Sequence, residues 1–186
     1  MASNPPGACC ATGFKHEGTP VGETKNIGGG KQHHDTEFII IQRLTLSLLR
    51  ITVDTYISAP KDNKTPQKAV LILTDIFGLF VNSQLLADEF ANNGYLAVMP
   101  DLFRGDAIKQ GDMEAGKVSL PDWIQNHQVA NVEPVIESTI KHIRQDLGVS
   151  RVSGVGYCFG GKVSGLLDIR RKRMSADNGC STSAAS

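Results

Sequence analysis

Two short, continuous apolar runs, Ala69–Leu73 and Tyr95–Met99, and a third strand-like run, Arg151–Val155, are separated by two segments of helical period. This alternation limits the available folds more than any other feature of the chain. A continuous apolar run suits a strand covered on both faces. In the first helical segment Leu85, Leu86 and Phe90 fall on one face, with Asn82 expected as the cap and Gly94 as the stop. In the second, from Asn131, Pro134 is expected in the first turn. Val132, Val135, Ile136, Ile140, Ile143 and Leu147 line one face there, and Gly148 ends it. Upstream, Val53–Ser58 alternates apolar and polar side chains and reads as a further strand, whereas Asp101–Asn126 reads as a long irregular excursion. Strands alternating with helices at this spacing lie parallel and are joined by right-handed crossovers, so the expected class is α/β with a mostly parallel sheet flanked by helices.

Composition narrows the functional classes. The 186 residues suffice for one domain, since a chain of this size buries about 70% of its unfolded surface. Nineteen basic and nineteen acidic residues give a formal net charge of +0, which argues against nucleic acid as a partner. The apolar stretch Phe38–Ile51 is broken by Gln42, Arg43 and Arg50 and is not a membrane span. Met1–Gly13 lacks the charged and apolar regions of a secretory signal. Cys9, Cys10, Cys158 and Cys180 fit no zinc spacing. A reduced, cytoplasmic protein without metal or cofactor is expected; its oligomeric state is not legible.

Gly156-x-Cys158-x-Gly160 follows one expected strand and precedes a possible helix. This is the arrangement of a nucleophile elbow, with Cys in the place usual for Ser. The sharp turn forces the nucleophile into strained backbone angles, and small residues two before and two after prevent clashes. A helix start behind the thiol favours its thiolate, and the Phe159 N–H would face a developing oxyanion. The alternatives are a buried, inert core cysteine and a dinucleotide loop built on Gly154-x-Gly156-x-x-x-Gly160. The latter needs an acidic residue after a further strand, and no such strand is legible.

Asp75-Ile76-Phe77-Gly78 follows the Ala69–Leu73 run. Neighbouring parallel strands end on one edge of a sheet, which would bring Asp75 near Cys158 and make the Ile76 N–H a second oxyanion donor. A loop-capping role for Asp75 competes with this reading.

Three ordered motifs then resemble the dienelactone hydrolase family: Val70 through Gly78, Gly94 through Phe103, and Gly156 through Gly161. The opening Cys9-Cys10-Ala11-Thr12-Gly13 and His16-Glu17-Gly18-Thr19-Pro20 are similar to its fungal branch. The resemblance implies an α/β-hydrolase that opens a small-molecule lactone or carboxylic ester through a Cys-Asp-His triad. It implies Cys158 as nucleophile, Asp75 at an acidic position that manages the thiol proton, and Ile76 and Phe159 at the oxyanion hole. Arg104 lies where some members hold an arginine near the substrate carboxylate, although a solvated loop arginine is the plainer reading.

Two departures qualify the match. The triad Asp and His are expected after the elbow, yet Phe159–Ser186 holds no histidine, and His16, His33, His34, His127 and His142 all precede Cys158. The family pattern is also interrupted at 29–52 and lost after 165. The expected organisation is an extended arm over 1–28, a non-family insert over 29–52, a partial hydrolase domain over 53–165 and a disordered tail over 166–186. The fold is thus expected to be incomplete after the elbow, and the chain inactive. Both extra segments read as translated introns, since Gly30-Lys31 and Val163-Ser164 can be encoded by donor-like codons. A divergent isoform that binds a partner through the exposed Arg151–Val155 edge is the competing expectation.

Overall fold

The computed structural model describes residues 16–28, 52–62 and 66–164. The expected insert (apart from Thr52) and the tail at 166–186 lie outside the described residues, as do Cys9, Cys10 and Cys180. The elements in chain order are β1 (Glu23–Ile27), β2 (Val53–Ser58), β3 (Lys68–Leu73), α1 (Val81–Asn92), β4 (Leu96–Pro100), α2 (Leu120–Asn126), α3 (Val129–Gln145) and β5 (Arg151–Gly156). Residues 159–164 are again helical.

The strands form one sheet in the order β1-β2-β4-β3-β5. The two apolar runs and the third strand-like run make the expected parallel block, with Val70 opposite Ala97 and Leu73 opposite Gly156. β2 joins β4 antiparallel, Tyr56 opposite Met99, and β1 adds antiparallel to β2. The sheet is therefore mixed. β1 was not expected as a strand, because only Ile27 among its five residues is apolar and the other four are exposed. It forms because the outer edge of β2 offers unpaired backbone groups, whatever side chains the arm carries.

Both sheet faces are covered, which is why β3 and β4 are apolar at nearly every position. Ala69, Leu71, Leu73 and Val98 point to the face closed by α2 and α3, through Trp123, Val132, Val135, Ile136 and Ile143. Val70, Ile72, Ala97 and Met99 point to the opposite face, where Ala87 of α1 packs with Tyr56. Each fully buried Leu or Ile contributes about 1.5–3 kcal/mol of transfer free energy.

Two expected helix starts shift. α1 begins at Val81 behind Phe80, without a side-chain cap. Asn82 is not its cap but turns its Oδ1 to the backbone N–H of His16 at 2.6 Å. α3 begins at Val129, so Pro134 lies in its second turn rather than its first. The Asn131 N–H donates to Gln128 O at 2.9 Å, and this bond winds the start back before Asn131. The face expected on α3 is the buried one, with Thr139 added and its hydroxyl satisfied by Val135 O.

Candidate active site

The site grows from the ends of β3 and β5. Their parallel register closes at Leu73 and Gly156. Two hydrogen bonds then extend the seam past the strands: the Tyr157 N–H donates to Leu73 O and the Gly160 N–H to Thr74 O, each at 3.0 Å. The chain between them must therefore turn within three residues, and Cys158 takes the turn at φ 51, where a Cβ is strained. The glycines on either side are required by space. A Cβ on Gly160 would collide with the Leu73 carbonyl, and one on Gly156 with the Gly160 carbonyl. Cys158 is held at the crest of this turn, exposed.

Two backbone N–H groups are aimed by their own peptide planes. The Cys158 carbonyl accepts from the Lys162 N–H at 3.3 Å. In a trans peptide the N–H lies opposite the carbonyl, so the Phe159 N–H points away from the helical residues that follow. On the neighbouring strand end the Asp75 carbonyl accepts from the Gly78 N–H at 3.2 Å. The Ile76 N–H, on the other side of that peptide, therefore points out of the turn. The next peptide is pinned at both ends, with the Phe77 N–H on Asp75 Oδ1 at 2.9 Å and Ile76 O accepting from the Ile108 N–H at 2.9 Å.

Asp75 is half-buried in this turn. Burial pushes its carboxyl above the usual carboxylate range, partly opposed by the hydrogen bond from the Phe77 N–H. Just before it, the Thr74 hydroxyl is buried with no hydrogen-bond partner among the described residues.

Arg104 lies in the loop after β4, exposed, with φ 52. The buried Asp101 carboxylate shapes that loop, accepting from the Phe103 N–H at 3.0 Å and the Gly105 N–H at 2.6 Å.

The structure brings Cys158, Phe159, Asp75 and Ile76 onto two adjoining strand ends. It places the described histidines differently. His127 is buried, its Nδ1 2.9 Å from Trp123 O and its Nε2 3.4 Å from Asp106 Oδ2. His142 on α3 pairs with Asp146 at 2.6 Å. His16 lies in the arm beside Asn82.

A ring cluster went unread in the sequence. Phe159 packs edge-on against Phe103 and Trp123, with ring centroids 5.1 and 6.1 Å apart. Phe103 meets Trp123 at 4.7 Å, and the His127 ring stacks on Trp123 at 4.1 Å. Two of these rings, Phe103 and Trp123, lie in the stretch that showed no period, and His127 and Phe159 join them from outside it.

Among the described residues no group of three or more His, Cys, Asp or Glu side chains is arranged to hold a metal ion. No described helix is long and apolar enough to cross a membrane. The arrangement is an exposed thiol on a strained turn, a half-buried carboxyl on the adjoining strand end and two outward-facing backbone donors.

Residues 53–177 match the family model described as "Dienelactone hydrolase family". The hydrolase pyvD of Aspergillus violaceofuscus is 39% identical over 163 residues, covering 87% of this chain and 56% of that protein. The hydrolase tropI of Talaromyces stipitatus is 38% identical, covering 87% and 57%. Dienlactone hydrolase 1 of Gibberella moniliformis is 27% identical, covering 88% and 56%. The chain thus spans about half the length of the curated relatives it matches. Among solved structures, a dienelactone hydrolase-like promiscuous phosphotriesterase from metagenomic libraries superposes with a TM-score of 0.53 at 17% identity, over 77% of this chain and 52% of that one.

Proposed function

Because this chain belongs to the dienelactone hydrolase family, we propose that it carries the acylation half of a thiol hydrolase acting on a small-molecule ester or lactone, with Cys158 as nucleophile. The observation that carries this reading is the position of Cys158, exposed at φ 51 between two glycines whose close backbone contacts leave no room for a side chain. Strain of this kind persists only where the surrounding structure imposes it, and it gathers at reactive positions.

The thiol gives its proton to the Asp75 carboxylate, and the Cys158 Sγ attacks the carbonyl carbon. The negative charge that forms on the carbonyl oxygen is met by the N–H groups of Ile76 and Phe159. When the tetrahedral species collapses, the carbon–oxygen bond to the alcohol breaks, the alcohol leaves with the proton, and a thioester remains on Cys158. Burial of Asp75 suits the first step, because a carboxyl held above its ordinary range is a stronger base for a thiol. Arg104, exposed after β4, is available to a substrate carboxylate from the same edge of the sheet.

Release of the acyl group needs a base that activates water. Among the described histidines, His127 has both ring nitrogens taken up by Trp123 O and Asp106, His142 lies on α3 paired with Asp146, and His16 lies in the arm beside Asn82. The reading for the described residues is therefore acylation without turnover, with the water-activating base lying outside them. A competing reading, a non-catalytic isoform that binds through the outer side of β5, is favoured by the edge position of that strand among the described residues.

Mixing the chain with p-nitrophenyl acetate separates the two. A burst of roughly one p-nitrophenol per chain, absent from Cys158→Ala and followed by no steady release, is expected. No burst, or one that survives Cys158→Ala, sinks the nucleophile and leaves the binding reading. Steady release lost in Cys158→Ala would mean that the chain holds its own base.

A further inference from the structure

The stretch between β4 and α3 reads in sequence as an irregular excursion, yet it touches both of the proposed oxyanion donors. Ile108 donates its N–H to Ile76 O at 2.9 Å, which holds the peptide beside one donor. On the other side, Phe159 packs its ring against Phe103 and Trp123. Trp123 is the member of this group whose orientation is most fully determined. Its Nε1–H donates to Asp106 O at 2.8 Å, which stops the indole from turning over. His127 stacks on it with planes 22° apart, Phe103 meets it at 63°, and the residue is buried.

The mechanical link from this indole to the reacting atoms is short. Only the Cα–Cβ and Cβ–Cγ bonds separate the Phe159 ring from the backbone carrying its N–H, and that backbone follows the strained turn at Cys158. A ring packed edge-on against two others that are themselves in contact has its χ1 restricted, and with it the tilt of the peptide that bears the donor. Side chains in contact across a packed core transmit such restraint because no void absorbs the displacement.

We infer that Trp123 is a positioning residue for the oxyanion site: its hydrogen-bonded indole holds the Phe159 ring and so aims the Phe159 N–H. The inference rests on the proposed role of that N–H, and it deepens that role by naming a second restraint beside the Lys162 N–H to Cys158 O bond. Trp123 acts through Phe159 and is not itself a catalytic residue.

The test compares two reactions of the same thiol in the 186-residue chain. Acylation by p-nitrophenyl acetate builds charge on a carbonyl oxygen, whereas alkylation by iodoacetamide is a displacement at carbon and builds none. Trp123→Phe keeps an aromatic ring and removes the Nε1–H. It is expected to slow the acylation burst by about tenfold, a fraction of what loss of a whole donor costs, while alkylation of Cys158 stays within about twofold. Phe159→Leu keeps the N–H but loses the ring contact, and should show the same selective loss. The double variant should be little slower than either single one, because both act through one contact.

Equal slowing of both reactions, no change in either, or additive effects of the two substitutions would overturn the inference. If Trp123→Phe fails to fold, Phe159→Leu decides alone, by selective or parallel loss. Failure of the underlying reading looks different: the unaltered chain would then show no burst that depends on Cys158.

Discussion

Asp75 holds its own turn, and the proposed mechanism gives the same carboxyl a second task. Its Oδ1 holds the Phe77 N–H, and its burial raises the carboxyl above the ordinary range. A folded-state value above the unfolded one means that the folded protein binds this proton more tightly. The stabilising contribution is therefore present below the usual carboxylate range and is lost as pH rises through the raised value. Asp75→Asn keeps the acceptor for Phe77 and removes the charge. It should be more stable than the parent at neutral pH, with the difference closing in acid; urea midpoints measured across that range check this. The same substitution should remove the carboxylate-dependent rise in Cys158 alkylation as pH increases. A variant less stable at pH 7 would show that the ionised carboxylate is well accommodated after all. Asp75 and Cys158 were legible as motifs at the ends of two parallel strands, and their convergence on one sheet edge was expected. That they adjoin follows from the register that sets Leu73 opposite Gly156.

At the scale of elements, β1, β2 and α1 are tied together through one phenol. The buried Tyr56 hydroxyl on β2 donates to Asp88 Oδ1 on α1 at 2.8 Å and accepts from the Gly22 N–H at 2.7 Å. The other Asp88 oxygen accepts from the Val21 N–H at 2.8 Å. Burial, with Asp88 second, pushes the Tyr56 hydroxyl up to about 12. Its contribution is complete below the ordinary tyrosine value of about 10 and is lost as pH rises through the raised one. Tyr56→Phe leaves a buried carboxylate short of a donor and the Gly22 N–H without its acceptor. Destabilisation of about 2 kcal/mol is expected at neutral pH in urea unfolding, shrinking toward pH 12. A loss below about 0.5 kcal/mol would show that water replaces the phenol without cost. None of this network is periodic, and the alternation over Val53–Ser58 groups Tyr56 with Asp54 and Ser58 on the polar side, so its burial was not legible in the sequence.

Among the described residues the sheet ends in two edge strands, β1 on one side and β5 on the other. β1 covers β2, but β5 pairs only with β3 among the described residues, and Arg151, Ser153 and Gly154 are exposed along it. An outer strand with free backbone groups invites pairing with another chain, and a charged side chain blocks that approach. Ser153→Lys should lower concentration-dependent light scattering roughly severalfold without changing the unfolding free energy in urea by more than about 0.5 kcal/mol. Unchanged scattering would mean that association runs through another surface.

What the sequence by itself determined is local. Alternation at Val53–Ser58, the buried runs at Ala69–Leu73 and Tyr95–Met99, the apolar face of α3 and the glycine spacing around Cys158 each lie within one window, because backbone period and steric demand act over a few residues. Only the tertiary structure decided that Glu23–Ile27 would become a strand, that Asn82 would hold His16 rather than cap α1, and that Phe103, Trp123, His127 and Phe159 would meet. Each of these depends on groups far apart in the chain, and the free energy that selects them comes from a partner that no single window contains.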